Sequence, residues 1–252
     1  MHKTYKALFE DAEKVWQIAC SMIKEKDVIG VGIEVNINLA IGAIYAKQIR
    51  LFISIFTLCK KGLSSEAKIL LRAMFESFLN LKFINDSPDK SEKCRQLLLW
   101  GFACHSKQMR AIGENDPKWN EVLTKQSQQI KPFKDKYGKG KWKMFEKCGP
   151  SMKNVADLSN DLGFKTEYDY IYRTGSSAIH STDLPEFIIL NESGIQLNIS
   201  PNDIWIKPVG AASIIMLYRS MECINDVLKI NKNDEISQLK EIAEKITRLL
   251  AE

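Results

Sequence analysis

Helical periodicity is the feature that most constrains this sequence. Apolar residues recur at intervals of three and four along most of the chain, and sustained strand alternation begins only after residue 184. There, EFIIL and IQLNI flank NESG, as in a β-hairpin. We therefore predict a predominantly all-α protein, a bundle of about eight helices with one small β-hairpin near residues 186–199.

The chain contains no internal repeat and no linker rich in glycine, serine or proline. A length of 252 residues is compatible with one large domain. We therefore predict a single helical domain over residues 1–252. The alternative is a weak boundary, or an exposed basic loop, at 131–149.

Most of the excess positive charge lies in that stretch. From Lys131 to Lys147 the chain has seven lysines and two acidic residues. The net charge of this stretch, +5, equals that of the whole chain. Aromatic residues are interleaved with the lysines, a composition suited to phosphate contacts and base stacking. A solvated loop is the alternative. The predicted nucleic-acid-binding residues are Lys134, Lys139, Lys141, Lys143 and Trp142.

The sequence predicts a cytoplasmic protein with no membrane partner. The N-terminus is charged and lacks the apolar region of a signal peptide. The most apolar stretch, 35–59, is interrupted by Lys47 and Arg50, and a bilayer span needs roughly 20 apolar residues. We expect a buried core helix there. The six cysteines form no C-x-x-C pair and are predicted to be reduced thiols.

Established catalytic and cofactor motifs do not occur in the sequence. Gly30-x-Gly32 lacks the third glycine of a dinucleotide fingerprint, and Gly138-Lys-Gly140-Lys lacks the serine or threonine of a Walker A loop. With only three histidines, and none at metal-ligand spacing, we expect no metal and no cofactor.

The segment 168–182 carries the strongest candidate for chemistry. Arg173 and His180 are seven residues apart, which is two helical turns and therefore one face. Histidine can exchange protons near neutral pH, and arginine can bind a phosphate through two hydrogen bonds. We predict both as catalytic, with Tyr172, Ser176 and Ser177 as supporting polar residues. The alternative is a structural histidine hydrogen-bonded to the hairpin backbone.

A second polar pair lies inside an apolar helix. Arg72 and Glu76 are four residues apart in ILLRAMFESFLNL, so they can form an ion pair with each other. The functional alternative places them against the 172–180 helix. Glu76 would then orient His180, or Arg72 would add a second cation to the site.

These residues carry a resemblance to known families. Arg173-x6-His180 resembles the R-x4-6-H motif of the HEPN superfamily of small helical-bundle proteins, which includes many toxin and defence ribonucleases. Arg72-x3-Glu76, followed by Tyr172-x3-Ser176-x3-His180, resembles an uncharacterised prokaryotic family over roughly residues 30–190. The HEPN resemblance implies Arg173 and His180 as catalytic residues, a homodimer, and RNA as substrate. It also implies an antitoxin or nucleotidyltransferase as a further partner.

Two functions follow as hypotheses. The first is a metal-independent endoribonuclease of the toxin or phage-defence type, in which histidine transfers protons and arginine stabilises phosphate charge. The second is a non-catalytic helical binding module, such as an antitoxin, a scaffold or a sensor of a phosphate-bearing ligand. Gly175 weakens a helix by about 1 kcal/mol relative to alanine, so we expect the helix to be irregular near the candidate site.

Overall fold

The structure is a computed structural model that describes residues 5–23, 35–113, 117–180, 183–191, 194–198 and 200–251. Within these residues the chain forms ten α-helical segments and one β-hairpin, which confirms the predicted all-α class. The helices are α1 Lys6–Met22, α2 Val35–Lys60, α3 Ser64–Asn85, α4 Lys90–Gly113, α5 Pro117–Cys148, α6 Val155–Asp161, α7 Lys165–Glu167, α8 Arg173–Ile179, α9 Ile206–Leu228 and α10 Asn233–Ala251.

A π-helical turn, Tyr168–Tyr172, joins α7 to α8, so residues 165–179 are helical throughout. The 3₁₀ turn Leu184–Phe187 then leads into strands β1 (Ile188–Asn191) and β2 (Gly194–Leu197). The two strands pair antiparallel, with Ile188 opposite Leu197. The hairpin lies inside the predicted range of 186–199, and residues 192, 193 and 199 of that range are outside the described part.

The centre of the fold is formed by α2, α3 and α9, which pack extensively on one another. Helices α1 and α10 pack against α9, and α4 packs against α2. The main core contains large side chains that are almost fully buried, including Phe52, Phe75 and Phe78. Gly62 ends α2 with a φ of 75°, which a left-handed helix cap requires. The long third helix can therefore fold back directly on the second.

One helix in the described part of the chain, Ile37–Lys60, is long and apolar enough to cross a membrane. Length and composition alone do not distinguish such a span from the core helix of a soluble protein. In this structure the helix packs against four others, and its buried Gln48 donates a hydrogen bond to the Met74 carbonyl. These contacts agree with the predicted core helix, and a cytoplasmic location stays a prediction.

The basic stretch 131–149 is helical almost throughout, so the alternative of an exposed basic loop is wrong. Helix α5 continues through Pro132 and bends at Gly138, whose φ is 69°. The reason is a second hydrophobic cluster, in which aromatic residues of α5 pack against α4 and leave the lysines on the solvent side. Its buried members are Leu99, Ala103, Phe133, Trp142 and Phe145.

Candidate functional site

Helix α8 lies unusually close to α3 because of a glycine. A Cβ atom at Gly175 would stand 2.7 Å from the Arg72 Cβ and 2.8 Å from the Lys68 carbonyl oxygen. Both distances are shorter than real Cβ contacts, so a side chain at this position would separate the two helices. The expected irregularity occurs just before Gly175, in the π-helical turn. Gly175 itself is needed for helix contact.

Arg72 is the polar centre of this contact. Its side chain is only 16% exposed, and its Nε donates to Glu76 Oε1 at 3.0 Å. Its Nη2 donates to Tyr172 Oη at 2.8 Å, and the guanidinium lies 4.0 Å from the centre of the Tyr172 ring. The ion pair and the placement of Arg72 against the 172–180 segment therefore occur together. The residues pair with each other, and Arg72 also faces the helical segment that carries the candidate site.

Glu76 is too far along α3 to serve as the predicted orienting group for His180. Ala178, near the end of α8, lies beside Ser65 and Ile69 in the first turns of α3. Ile69 and Glu76 are separated by roughly 10 Å along the helix axis, and His180 follows Ala178. Glu76 instead binds Arg72.

Arg173 and His180 are both exposed on α8. The Arg173 side chain is 70% exposed, and its Nε pairs with Asp169 Oδ1 at 2.8 Å. His180 caps the C-terminus of α8, where its backbone N–H donates to the Ser176 carbonyl at 3.0 Å. The Ser177 hydroxyl donates to the Thr174 carbonyl at 2.7 Å. The two predicted catalytic side chains thus point to solvent, whereas the two serines are part of the helix itself.

The sequence reasoning missed a buried ion pair one turn from Arg72. Lys68 is 2% exposed, and its ammonium binds Glu186 Oε1 at 2.6 Å and lies 4.5 Å from the centre of the Trp205 ring. Glu186 Oε2 accepts from the Ser65 hydroxyl at 2.6 Å and from Trp205 Nε1 at 3.1 Å. We call Ser65, Lys68, Glu186 and Trp205 the α3 latch. It ties the segment after α8 to the first two turns of α3.

The α3 latch favours the ionised form of Glu186. Burial by itself raises the pKa of this carboxyl, but the hydrogen bonds from Lys68 and Ser65 and the charge of Lys68 outweigh burial, so its pKa lies below the usual value. A sequence signal for the latch did exist. Lys68 and Arg72 are four residues apart in an apolar helix, so both had to find partners on one face. The partner Glu186 is 118 positions away and has no local signature.

The basic surface of α5 exposes four of the five predicted nucleic-acid-binding residues, and their role in binding stays a prediction. Lys134, Lys139, Lys141 and Lys143 are exposed and available to an anionic partner. Trp142 is only 7% exposed, so its predicted role in base stacking is wrong. It packs in the second hydrophobic cluster instead, with Phe133 and Phe145, and it also lies 5.8 Å beneath the Lys134 ammonium.

Comparisons with known proteins gave one match. The model of a family of unknown function, DUF5677, matches residues 38–194, which include α3, α8 and the candidate site. No curated protein and no solved structure matches the chain.

Proposed function

The chain belongs to the DUF5677 family of unknown function, and from its own residues we propose that it is a HEPN-like, metal-independent endoribonuclease of the toxin or phage-defence type. The observation that carries this proposal is the exposure of Arg173 and His180 on one short helix. The inner side of that helix is held by Gly175 and Arg72. A fixed helix with an exposed imidazole and an exposed guanidinium is a suitable support for phosphodiester chemistry.

The proposed reaction is transfer of a phosphoryl group within the RNA. His180 removes the proton from a ribose 2′-hydroxyl, whose oxygen attacks the adjacent phosphorus. The 5′-oxygen of the next nucleotide leaves and takes up a proton, giving a 2′,3′-cyclic phosphate and a 5′-hydroxyl. Arg173 binds the phosphate oxygens as charge develops. Its ion pair with Asp169 is exposed and worth about 1 kcal/mol or less, so a phosphate can replace the carboxylate.

The exposed lysines of α5 support an RNA substrate, because phosphate contacts supply most of the affinity for nucleic acids. Lys134, Lys139, Lys141 and Lys143 carry no acidic partner among the described residues at ion-pair distance. Binding through such a surface weakens steeply as salt concentration rises.

An exposed apolar surface next to α8 supports a homodimer. Seven of the twelve large apolar residues that are exposed in the described chain fall between residues 179 and 204. The strand register places Ile188, Ile195 and Leu197 on one face of the hairpin. We define the apolar patch as this face together with the neighbouring 3₁₀ turn: Leu184, Phe187, Ile188, Ile195 and Leu197.

The partner proposed for the apolar patch is a second copy of this chain. A two-fold interface uses the same surface on both subunits, so it must be complementary to itself. A patch without charged side chains meets that condition, whereas a lysine-rich surface repels its own copy. Because the patch follows α8 directly in the chain, a dimer formed there brings two Arg173 and His180 pairs towards each other.

Cleavage of RNA in EDTA tests the proposed activity. We expect the wild-type protein to release fragments that end in a cyclic phosphate, and His180→Ala and Arg173→Ala to lose about 100-fold or more in rate. Arg248→Ala, an exposed arginine of α10, is the matched control and should cleave normally. Absence of cleavage, or equal cleavage by all four proteins, would exclude the proposal.

Sedimentation equilibrium tests the proposed dimer. Ile195→Lys and Leu197→Lys, at positions that are each 74% exposed, should convert dimer to monomer without lowering the melting temperature of the subunit. Ile53→Lys, an exposed position of α2, is the control. A wild-type protein that is monomeric at micromolar concentration contradicts the proposed dimer. The cleavage experiment is a separate test, and its result does not depend on this one.

A binding module is the second candidate function, and one observation favours it. Arg72 Nη1 is buried and has no hydrogen-bond partner within the described part of the chain. A phosphate-bearing ligand that enters beside Glu76 and Tyr172 would satisfy that donor. Calorimetric titration with ATP checks this candidate. Binding that disappears in Arg72→Lys, in a protein that leaves RNA intact, would favour the binding module over the ribonuclease.

A further inference from the structure

A groove between α2, α3 and α4 is not used by the proposed function. Its volume is about 340 Å³, which falls within the range of roughly 300–1,000 Å³ for sites that bind small molecules. The walls are mostly apolar and come from Ile44 of α2 and from Leu97, Leu98 and Phe102 of α4. All three of these α4 side chains remain partly exposed to the groove or to solvent. An apolar ligand would gain by covering them.

The polar groups in the groove favour an anion. Lys47 is the only charged residue that lines it among the described residues, and no described acidic side chain lies within ion-pair distance of its ammonium. Asn80 and Ser77 also line the groove. One N–H of the Asn80 amide donates to the Glu76 carbonyl at 3.2 Å, so the other N–H is available to a ligand. A carboxylate fits one ammonium and one amide donor.

Gly101, an exposed residue of α4, has open space beside it. Gly101 lines the groove, and a Cβ built on it meets no atom within 4 Å. Gly101 lies within α4, where most other residues would be more favourable than glycine by up to about 1 kcal/mol. A larger side chain at Gly101 therefore fills the groove without straining the helix.

We propose that this groove binds a small amphipathic carboxylate. Its carboxylate pairs with Lys47 and accepts a hydrogen bond from Asn80, and its alkyl chain lies along Leu97 and Phe102. The apolar walls account for an alkyl chain. Lys47, which has no described acidic side chain within ion-pair distance, accounts for a negative head group. This site is separate from Arg173 and His180, and it does not depend on ribonuclease activity.

Isothermal titration of the full chain tests the head group, with three probes that share a linear ten-carbon chain. The probes are decanoate, decanol and decyltrimethylammonium, each used below its micelle concentration. We expect decanoate to bind at least tenfold more tightly than decyltrimethylammonium. Lys47→Met should remove that preference and leave decanol unchanged, while Lys60→Met, at the exposed end of the same helix, should keep it. Equal affinity for all three probes, or no binding at all, overturns the proposal.

Gly101→Leu tests the location. Filling the groove should weaken decanoate at least tenfold while the melting temperature stays the same or rises. Ala43→Trp, which fills the groove from α2, is a second variant in case Gly101→Leu does not fold. Unchanged decanoate binding in both variants places the ligand elsewhere and rejects the site. Loss of a dimer in both variants, without decanoate binding to wild type, identifies the groove as a subunit interface and also rejects it.

Discussion

Two arginines lie on opposite sides of the helical segment 165–179, in opposite surroundings. On the inner face, Arg72 of α3 is bound to Glu76 and Tyr172 and is mostly buried. On the outer face, Arg173 has one carboxylate partner and is 70% exposed. A buried cation must keep its partners or lose stability, whereas an exposed cation can exchange its partner for a ligand. The inner face therefore contributes stability, and the outer face is available to a ligand.

The largest effect should come from Lys68 of the α3 latch. Lys68→Ala leaves Glu186 without its main counter-charge, and we expect the free energy of unfolding to fall by about 3 kcal/mol. Urea denaturation measures this loss. Lys240→Ala, an exposed lysine of α10, should change stability by less than about 0.5 kcal/mol. A similar result for the two variants would show that the buried pair contributes nothing.

Gly175→Ala should cause the next largest loss of stability. The added methyl group would stand 2.7 Å from the Arg72 Cβ, and overpacking of this kind costs about 1–3 kcal/mol. Gly140→Ala is the matched control, because its Cβ meets nothing within 4 Å in helix α5. That variant should keep or gain stability. Thermal unfolding of both variants separates close helix contact from helix propensity, and a stabilised Gly175→Ala would contradict the close contact.

Acidification should loosen the α3 latch through Glu186. Because its folded-state pKa lies below the usual value, its contribution to stability is complete above the unfolded pKa, about 4.3, and is lost as pH falls through the folded pKa. Glu186→Gln should lose stability at pH 7 and show a smaller further loss on acidification below pH 4. Denaturation midpoints between pH 3 and 7 measure the difference. Parallel pH profiles for wild type and variant would show that Glu186 does not contribute to the pH dependence of stability.

Tyr172→Phe should have a smaller effect, about 1 kcal/mol. The substitution removes only the acceptor of the 2.8 Å hydrogen bond from Arg72 Nη2 and keeps the ring beneath the guanidinium. Tyr168→Phe, whose ring stacks on Tyr172 at 4.9 Å, is the control. Chemical denaturation should rank Tyr172→Phe below Tyr168→Phe in stability, and the reverse order would show that the phenol oxygen is not the important contact.

Arg173→Ala should have the smallest effect on stability, within about 0.5 kcal/mol, because its ion pair with Asp169 is exposed. Asp169→Ala should be equally mild and leaves Arg173 free for a phosphate. Melting temperatures of the two variants test this expectation. A loss of more than about 2 kcal/mol in Arg173→Ala would make it a structural residue and remove the distinction between the two faces.

The sequence predicted helices well wherever the signal was local. Apolar periodicity, Gly62 and the Asn-Glu-Ser-Gly turn signal indicated α2, α3 and the hairpin close to their observed positions. At 131–149 the lysines and glycines of the sequence left an exposed loop open as an alternative. Phe133, Trp142 and Phe145 are buried at helical spacing against α4, and this contact decided the conformation.

The sequence by itself determined the all-α class, the position of Arg72 within reach of Glu76, and the placement of Arg173 and His180 two turns apart. Each of these depends on neighbours within one helix, where spacing fixes proximity. Only the tertiary structure decided that Lys68 meets Glu186, that Gly175 allows α8 to approach α3, and that Trp142 is internal. Those contacts join residues far apart in the chain, and no local pattern encodes which distant partner a buried charge or ring will meet.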